Sequence, residues 1–350
     1  MGISGVLDQD FIDLTNIPER ELDDVALMPG SELKAKRDKP DERTCREIIK
    51  VLDAYGITQF VYIGGDDTVK ACAGMAKALH PTTSVRSIVH VIKTIDNDIA
   101  AAYVCPGHLS AAQEIAEMII RLNLDNRSMP GVHLSIIMGR EAGWLTAAAK
   151  LGGAHLLCLP ERNFVLDKFL TAVKAVYERH GRCIVAVSEG IHGPDGKAIA
   201  EIAGPVRKDA FGNAELSGSG TLGDFLRRCL EAELGVKVRA EQIGYGARAS
   251  MRQIPFDIEI AEQVGIHATA AAMGGMSGSI SVQRYGSLFA YPLLPFEEVA
   301  GKKRYLESKM LKAGPFHVSD AFDEYLQPML APLPRVHHFS APAVPKLVIN

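Results

Sequence analysis

The chain has 350 residues, of which 47% are apolar and 23% charged, so it has the composition of a globular protein and the length for two α/β domains. Its formal net charge of −4 gives no support for binding to nucleic acid or to an anionic membrane, so an anionic ligand would have to be held by local cations. No apolar run approaches about 18 residues and the N-terminal residues show no signal peptide pattern, which predicts a cytoplasmic location.

From about residue 44 the sequence alternates between helical and strand patterns. Thr44 is predicted to cap a helix, Glu47 to close the capping box, and Gly56 to end the helix. The elements predicted next are strand 60–63, helix 68–79, strand 87–92, helix 110–122, strand 132–138, helix 141–151, strand 154–159, helix 166–179 and strand 182–188. Residues 192–220 are rich in glycine, proline and aspartate and are predicted to form a long loop before a helix at 222–234. This alternation predicts mostly parallel sheets with right-handed crossovers.

The cysteines and histidines do not form a metal-binding pattern. The six cysteines contain no C-x-x-C pair, which argues against a zinc knuckle or a disulfide framework and favours reduced thiols. The adjacent His337 and His338 have no spaced partners, so a surface tail from Leu326 to Asn350 is favoured over a metal site.

Predicted strands end in unusual polar sequences at four places. Because the carboxyl ends of parallel strands share one edge of a sheet, these groups are expected to converge. One such ending could be an ordinary turn, and Asp67 could equally be a helix N-cap, but four on one scaffold favour a ligand site. The sequences are Gly64-Gly65-Asp66-Asp67, Lys93-Thr94-Ile95-Asp96-Asn97-Asp98, Met138-Gly139-Arg140 and Ser188-Glu189-Gly190.

The residue types at these ends suit transfer of a phosphoryl group to an alcohol. That reaction needs a metal ligand, cations around the transferred group and a carboxylate that accepts the hydroxyl proton. Asp66 fits the metal role, and Asp96 or Asp98 fits the base. Lys93 and Arg140 fit the cationic roles, and Glu189 could bind substrate hydroxyls.

A second basic set lies downstream, at Arg239, Arg248 and Arg252. The guanidinium group suits a phosphate monoester, so these residues could hold a sugar phosphate. Arginines this close in sequence are also typical of a solvated face, and the sequence leaves both interpretations open.

Together these motifs resemble those of the phosphofructokinase family, in particular its pyrophosphate-dependent branch. The resemblance extends from about residue 2 to about residue 325. The matching segments are Gly64 to Thr68, Lys93 to Asp98, Met138 to Trp144, Ser188 to Gly190, Asp209-Ala210-Phe211-Gly212, Gly244 to Arg248, and Val299-Ala300-Gly301-Lys302.

The resemblance implies a fold of two Rossmann-like, three-layer αβα domains with mostly parallel sheets. Residues 1–107 and 247–300 would form a donor domain, residues 108–246 and 301–325 a fructose 6-phosphate domain, and residues 326–350 a tail. The family's usual first βα unit, with its glycine-rich phosphate loop, has no counterpart before Gly2 in this sequence. Its absence would expose a strand edge and remove backbone donors for the donor phosphates.

The resemblance also implies a role for each matched residue. Asp66 would bind Mg²⁺, and Asp96 would deprotonate the 1-hydroxyl of fructose 6-phosphate with help from Asp98. The sugar would lie among Thr94, Met138, Gly139, Arg140 and Glu189, with its 6-phosphate on Tyr245 and Arg248 and on Arg239 of a neighbouring subunit. The donor would lie on Gly64, Gly65, Asp67, Thr68, Lys93 and Arg37. Shared sites of this kind predict a homodimer or homotetramer.

Two side chains favour pyrophosphate over ATP as the donor. ATP-dependent relatives have glycine where this chain has Asp67 and Lys93. A carboxylate and a long ammonium side chain there would crowd or repel the α-phosphate of a nucleotide, whereas Lys93 could neutralise a free terminal phosphate.

Other departures from the family pattern keep alternatives open. Gly131 stands where the family has an arginine, although Arg127 lies close enough to replace it, and Ala247 stands in place of a glutamine. A non-catalytic or regulatory paralogue that binds sugar phosphate is therefore the alternative function. NAD or lipid kinases share only the Gly-Gly-Asp loop, and a dinucleotide-binding G-x-G-x-x-G motif is not present after a first strand.

Overall fold

A computed structural model describes residues 2–36, 38–204 and 220–337 of the chain. The predicted donor residue Arg37, the segment Asp209-Ala210-Phe211-Gly212 and His338 lie outside these residues. The first elements are α1 (Gly2–Leu7), α2 (Glu19–Ala26), α3 (Glu42–Ala54), β1 (Gln59–Gly64), α4 (Asp66–Lys77), β2 (Ser87–Ile92), α5 (His108–Ser128), β3 (Val132–Ile137), α6 (Trp144–Ala148) and β4 (Leu156–Cys158). They are followed by α7 (Leu166–His180), β5 (Cys183–Ser188), α8 (Ile199–Ala203), α9 (Thr221–Leu234), β6 (Val238–Ile243), α10 (Pro255–Met273), β7 (Gly278–Ile280), β8 (Gln283–Tyr285), β9 (Leu288–Ala290), β10 (Leu293–Leu294), α11 (Phe296–Val299) and α12 (Asp320–Leu326). Single 3₁₀ turns occupy Tyr245–Ala249, Ser308–Met310 and Gln327–Met329.

The first sheet has the strand order β1-β2-β7-β10. β1, β2 and β7 are parallel, and β10 is antiparallel to β7. Helix α3 packs on α4 through an apolar cluster that includes Ile48 and Met75, whereas α10 contacts β1 and β2. Among the described residues β1 is an edge strand of this sheet, and its Val61 and Ile63 side chains are exposed.

The second sheet has the order β4-β5-β3-β6, and its strands are all parallel. Every residue of β3, β4 and β5 is buried, as expected for strands covered on both faces. Helices α7 and α9 contact this sheet, and α5 and α6 pack against β5 as well. A separate antiparallel hairpin is formed by β8 and β9.

The prediction for the start of α3 was wrong. Asp41, not Thr44, caps this helix, because the Asp41 Oδ1 atom accepts a hydrogen bond of 2.7 Å from the Thr44 backbone N–H. Glu47 instead pairs with Lys50 on the helix surface. Gly56 follows the helix with a φ of 66°, a conformation that glycine adopts without steric cost.

Two other predictions need correction in detail. The predicted helix 141–151 is regular only over Trp144–Ala148, and the predicted loop 192–220 contains α8. Near the other end of the chain, Leu326 and Met329 are buried in the core, so the packed part of the fold extends into the predicted tail.

Two further observations concern the cysteines and the apolar character of the helices. The six cysteines are free thiols, and no helix in the described ranges is long and apolar enough to cross a membrane.

Helix α5 is held at its N-terminus by Asp257 of α10, which accepts hydrogen bonds from the Gly107 and Ser110 backbone N–H groups at 2.8 and 2.9 Å. This contact fixes the N-terminus of α5 relative to α10.

Candidate active site

The first polar loop joins β1 to α4. Gly64 must lack a side chain here, because a Cβ atom would lie 2.1 Å from the Thr68 Oγ1 atom. Asp66 begins α4, and its carboxylate accepts hydrogen bonds from the Gly301 backbone N–H at 2.8 Å and from Lys70 Nζ at 2.6 Å. Burial opposes ionisation, but these hydrogen bonds outweigh it and lower the pKa of Asp66. The loop therefore presents an ionised carboxylate at a helix N-terminus.

Asp67 is not the N-cap of α4, so that interpretation was wrong. The capping position is Gly65, and no side chain caps the helix. Asp67 lies in the first turn, is exposed, and pairs with Lys70 at 3.6 Å and with Lys39 at 3.8 Å. A negatively charged group in the first turn is favoured by the helix dipole.

The second polar loop follows β2 and touches the first. The Lys93 backbone N–H donates to the Gly64 carbonyl oxygen at 2.8 Å, and the Asp96 N–H donates to the Thr94 hydroxyl at 3.2 Å. The buried Asn97 adopts a φ of 55° and bonds to the Tyr325 hydroxyl at 2.9 Å. The loop is thus fixed from its interior, which leaves Asp96 and Asp98 with defined positions.

Three effects oppose ionisation of the Asp96 carboxyl group. It retains some solvent access, but the protein surrounds it closely enough that loss of hydration is the largest effect. Together with the negative charges of Asp98 and Glu189, this raises the pKa of Asp96 to about 6. A carboxyl group with this pKa is well suited to accept a proton near neutral pH.

The third and fourth polar endings pack directly on one another. A Cβ atom at Gly190 would lie 1.8 Å from the Arg140 carbonyl oxygen. The backbone segments that contain Arg140 and Gly190 can therefore approach this closely only because residue 190 is glycine. The Ser188 hydroxyl donates to the Gly139 carbonyl oxygen, and Glu189 and Met138 are buried beside them. The Arg140 Nε atom is buried and has no hydrogen-bond partner among the described residues, as expected of a group that binds a ligand.

Tyr245 and Arg248 lie in the 3₁₀ turn that follows β6. The Arg248 guanidinium lies over the Tyr245 ring, 4.5 Å from its centroid, and both side chains are exposed. Burial and the charge of Arg248 lower the pKa of Lys93, while Asp96 acts in the opposite direction. Arg248 is therefore close enough to act electrostatically on Lys93 of the second loop, although its turn follows a strand of the other sheet.

The downstream arginines do not form one cluster. Arg252 pairs with Glu117 of α5, which agrees with the solvated-face interpretation for that residue. Arg239 lies near the amino end of β6, about 20 Å along the chain from Tyr245 at roughly 3.3 Å per residue, and donates to the Met129 carbonyl oxygen at 3.2 Å. A Cβ atom at Gly131 would lie 3.1 Å from the Arg239 Nη1 atom, so Arg239 occupies the space beside Gly131.

Comparison with known proteins assigns this arrangement to a family. The Phosphofructokinase family model matches residues 1–272. The chain belongs to the phosphofructokinase family.

Its relatives within the family are similar over most of their length. The chain is 41% identical over 340 residues to the pyrophosphate–fructose 6-phosphate 1-phosphotransferase of Rhodospirillum rubrum, with 94% of this chain and 84% of the relative covered. A protein of the same name from Xanthomonas campestris is 30% identical over 349 residues, covering 94% of this chain and 82% of the relative. The crystal structure of pyrophosphate-dependent phosphofructokinase from Nitrosospira multiformis matches with a TM-score of 0.82 and 25% identity, covering 99% of this chain and 88% of that one. The predicted fold of two αβα domains with mostly parallel sheets is confirmed.

If the chain uses a magnesium ion, as its resemblance to the family implies, the described residues supply only part of the ion's ligands. Among the described residues no three His, Cys, Asp or Glu side chains are placed to hold a metal by themselves. Mg²⁺ keeps several waters and is commonly bound by one or two carboxylates together with substrate phosphates. The ionised Asp66 carboxylate has the chemistry that this kind of binding requires.

Two lysines that contact predicted site residues were not identified from the sequence. Lys70 lies four residues after Asp66 on α4, and this spacing was a signal that could have revealed the pair. Lys303 bonds to Asp98 at 2.7 Å from 205 positions away, and no local pattern indicates such a contact.

Proposed function

We propose that this chain transfers a phosphoryl group from pyrophosphate to the 1-hydroxyl of fructose 6-phosphate, giving fructose 1,6-bisphosphate and phosphate. The observation that carries the proposal is the position of Asp96, whose raised pKa reflects carboxylates from both sheets. The cationic side chains of Lys93, Arg140 and Arg248 belong to the loops that meet there. The names of the most similar relatives support the same reaction.

The chemistry follows from the placement of these groups. The ionised Asp96 carboxylate accepts the proton of the 1-hydroxyl as that oxygen attacks the terminal phosphorus of pyrophosphate. The bond to the bridging oxygen breaks, and its electron pair leaves with inorganic phosphate. Lys93 and Arg140 spread the negative charge of the transferred group. When Mg²⁺ is bound at Asp66, it neutralises phosphate oxygens of the donor.

The acceptor is proposed to lie on the second sheet. Thr94, together with the buried Met138, Gly139 and Glu189, would enclose the sugar. Its 6-phosphate would bind Tyr245 and Arg248. Because Arg239 lies at the other end of β6, we propose that it serves the site of a neighbouring subunit, in a cytoplasmic homodimer or homotetramer.

The donor is proposed to lie on the first sheet. Gly64, Gly65 and Thr68 would bring backbone groups of the α4 N-terminus to the phosphates. Lys93 would neutralise the terminal phosphate, while Asp67 and its partners would occupy the space that a nucleotide α-phosphate requires. Arg37, which lies outside the described residues, stays a predicted donor-binding residue.

A coupled assay with fructose 6-phosphate and Mg²⁺ tests the proposal directly. We expect turnover with pyrophosphate, little with ATP, and a loss of about 10²-fold to 10⁴-fold in kcat for Asp96→Asn. Asp125→Asn, an exposed carboxylate on α5, serves as the control and should retain full activity. Binding of fructose 6-phosphate by calorimetry without turnover on either donor would instead favour the non-catalytic paralogue.

A further inference from the structure

Residues 301–304 contact both the first polar loop, which follows β1, and the second polar loop, which follows β2. The Gly301 backbone N–H donates to the Asp66 Oδ1 atom at 2.8 Å, and the Arg304 N–H donates to the Asp98 carbonyl oxygen at 2.9 Å. Ile99 and Lys303 pair as an isolated antiparallel bridge between these contacts. The segment thus touches the donor-side aspartate and runs alongside the loop that carries the proposed base.

Lys303 extends from this segment into a group of carboxylates. Its Nζ atom lies 2.7 Å from Asp98 Oδ2 and 3.8 Å from Glu141 Oε2. The same ammonium group also attracts the Asp66 and Asp96 carboxylates, which adds to the lowering of the pKa of Asp66 and partly opposes the burial that raises the pKa of Asp96. The Lys303 side chain is 24% exposed and that of Asp98 13%, so solvent screens their attraction less than it screens a surface pair.

The backbone that carries Lys303 is anchored on its other side to the second sheet's loops. The Trp144 indole N–H donates to the Arg304 carbonyl oxygen at 3.2 Å, and the Arg304 guanidinium lies 4.3 Å from the Trp144 ring centroid. The Leu306 N–H donates to Glu161, which also accepts the Gly143 N–H that follows the Arg140 loop. The backbone around Lys303 is therefore held in place by contacts with loops of both sheets.

We propose that Lys303 is a positioning residue for phosphoryl transfer, acting through Asp98 to hold the loop of Asp96 in its reactive position. This inference rests on the proposed function. Asp96 and Asp98 are two residues apart and carry like charges, so without a cation they would repel one another. Lys303 offsets the charge of Asp98 and fixes its carboxylate, which keeps Asp96 directed at the acceptor hydroxyl. A displacement of about 1 Å in such a group can lower the rate 10²-fold.

Replacement of Lys303 by methionine tests the proposal, because methionine keeps much of the side-chain volume and removes the charge. We expect kcat to fall about 10²-fold, with the KM for fructose 6-phosphate and for pyrophosphate changed by less than about threefold. Lys303→Arg should recover at least about tenfold of the lost kcat, since it restores a cation that can reach Asp98. The matched control is Lys302→Met, which removes an exposed neighbouring charge and should leave kcat unchanged.

Thermal unfolding and a double substitution separate positioning from a purely structural role. We expect Lys303→Met to unfold within a few degrees of the parent protein, and Lys303→Met with Asp98→Asn to lose no more activity than the worse single variant. A kcat equal to that of Lys302→Met, an activity loss that only follows a drop in Tm, or independent losses that multiply in the double variant would each overturn the inference. Absence of pyrophosphate turnover in the parent protein would overturn the proposed function itself, which is a different result.

Discussion

At the scale of single residues, the chemistry depends on how the protein sets the proton affinity of Asp96. Loss of hydration and the charges of Asp98 and Glu189 raise its pKa to about 6, while Arg248 and Lys303 oppose them. A base acts only in its deprotonated form, so the proposed reaction should slow as the pH falls through about 6. A profile of kcat against pH in the direction of fructose 1,6-bisphosphate formation measures this acidic limb.

The charge of Asp98 should shift that limb in a known direction. Asp98→Asn removes a negative neighbour and leaves Lys303 without its partner, and both changes favour ionised Asp96. We therefore expect the acidic limb of the variant to move to lower pH, even though kcat at its plateau falls. A limb that stays in place or moves to higher pH would contradict the assignment of Asp96 as the base.

Lys93 is proposed to bind the donor, so its removal should affect donor binding most. Loss of a charge-assisted hydrogen bond costs about 1.5–3 kcal/mol, so Lys93→Met should lower kcat/KM for pyrophosphate by roughly 10-fold to 150-fold. Lys77→Met, at the exposed end of α4, is the matched control. Asp67→Gly combined with Lys93→Gly should also increase use of ATP, and an unchanged preference in steady-state assays would count against the donor assignment.

At the scale of helices and strands, an aspartate stabilises the N-terminus of both α3 and α5, as the helix cap in α3 and from the neighbouring helix α10 in α5. The Asp41 cap of α3 is exposed, whereas Asp257 is buried and accepts hydrogen bonds from two backbone N–H groups and the Ser110 hydroxyl. We expect Asp41→Ala to cost about 1 kcal/mol and Asp257→Ala about 2 kcal/mol or more, because the second change leaves buried donors unpaired. Denaturant unfolding of the two variants measures both, and equal losses would contradict the difference in burial.

Between residues 44 and 234 the helices and strands were largely predictable from sequence because their signals are local, whereas the sequence patterns did not predict α1, α2, α10 or the strands from β6 onward. The apolar runs ending at Gly64 and Lys93 correctly indicated β1 and β2, and the strand before Glu189 was also correct to within one residue. The cap of α3 was assigned wrongly because Asp41 and Thr44 are both good capping residues, and only the backbone geometry selects one. Lys303 could not be predicted from local pattern, since its contact with Asp98 depends on how distant parts of the chain pack.

At the scale of the whole molecule, the position of Arg239 determines how the active sites are proposed to be shared. Arg239 lies at the opposite end of β6 from Tyr245 and Arg248, so one chain does not bring together these three residues, which are proposed to bind the 6-phosphate. If Arg239 serves a neighbouring subunit, a mixed dimer of Asp96→Asn and Arg239→Ala subunits contains one intact site. Arg239→Ala alone should raise the KM for fructose 6-phosphate, because a charge-assisted contact worth about 1.5–3 kcal/mol is lost.

Co-expression of the two variants with different affinity tags tests this arrangement. Random pairing makes about half of the dimers mixed, so the pool assayed below the KM should recover about a quarter of the parent activity. Asp96→Asn mixed with Arg140→Ala is the control, because Asp96 and Arg140 are assigned to the site of the same chain and no intact site would form. Recovery no greater than in that control would place Arg239 outside the neighbouring site and remove the reason for expecting the site to require two subunits.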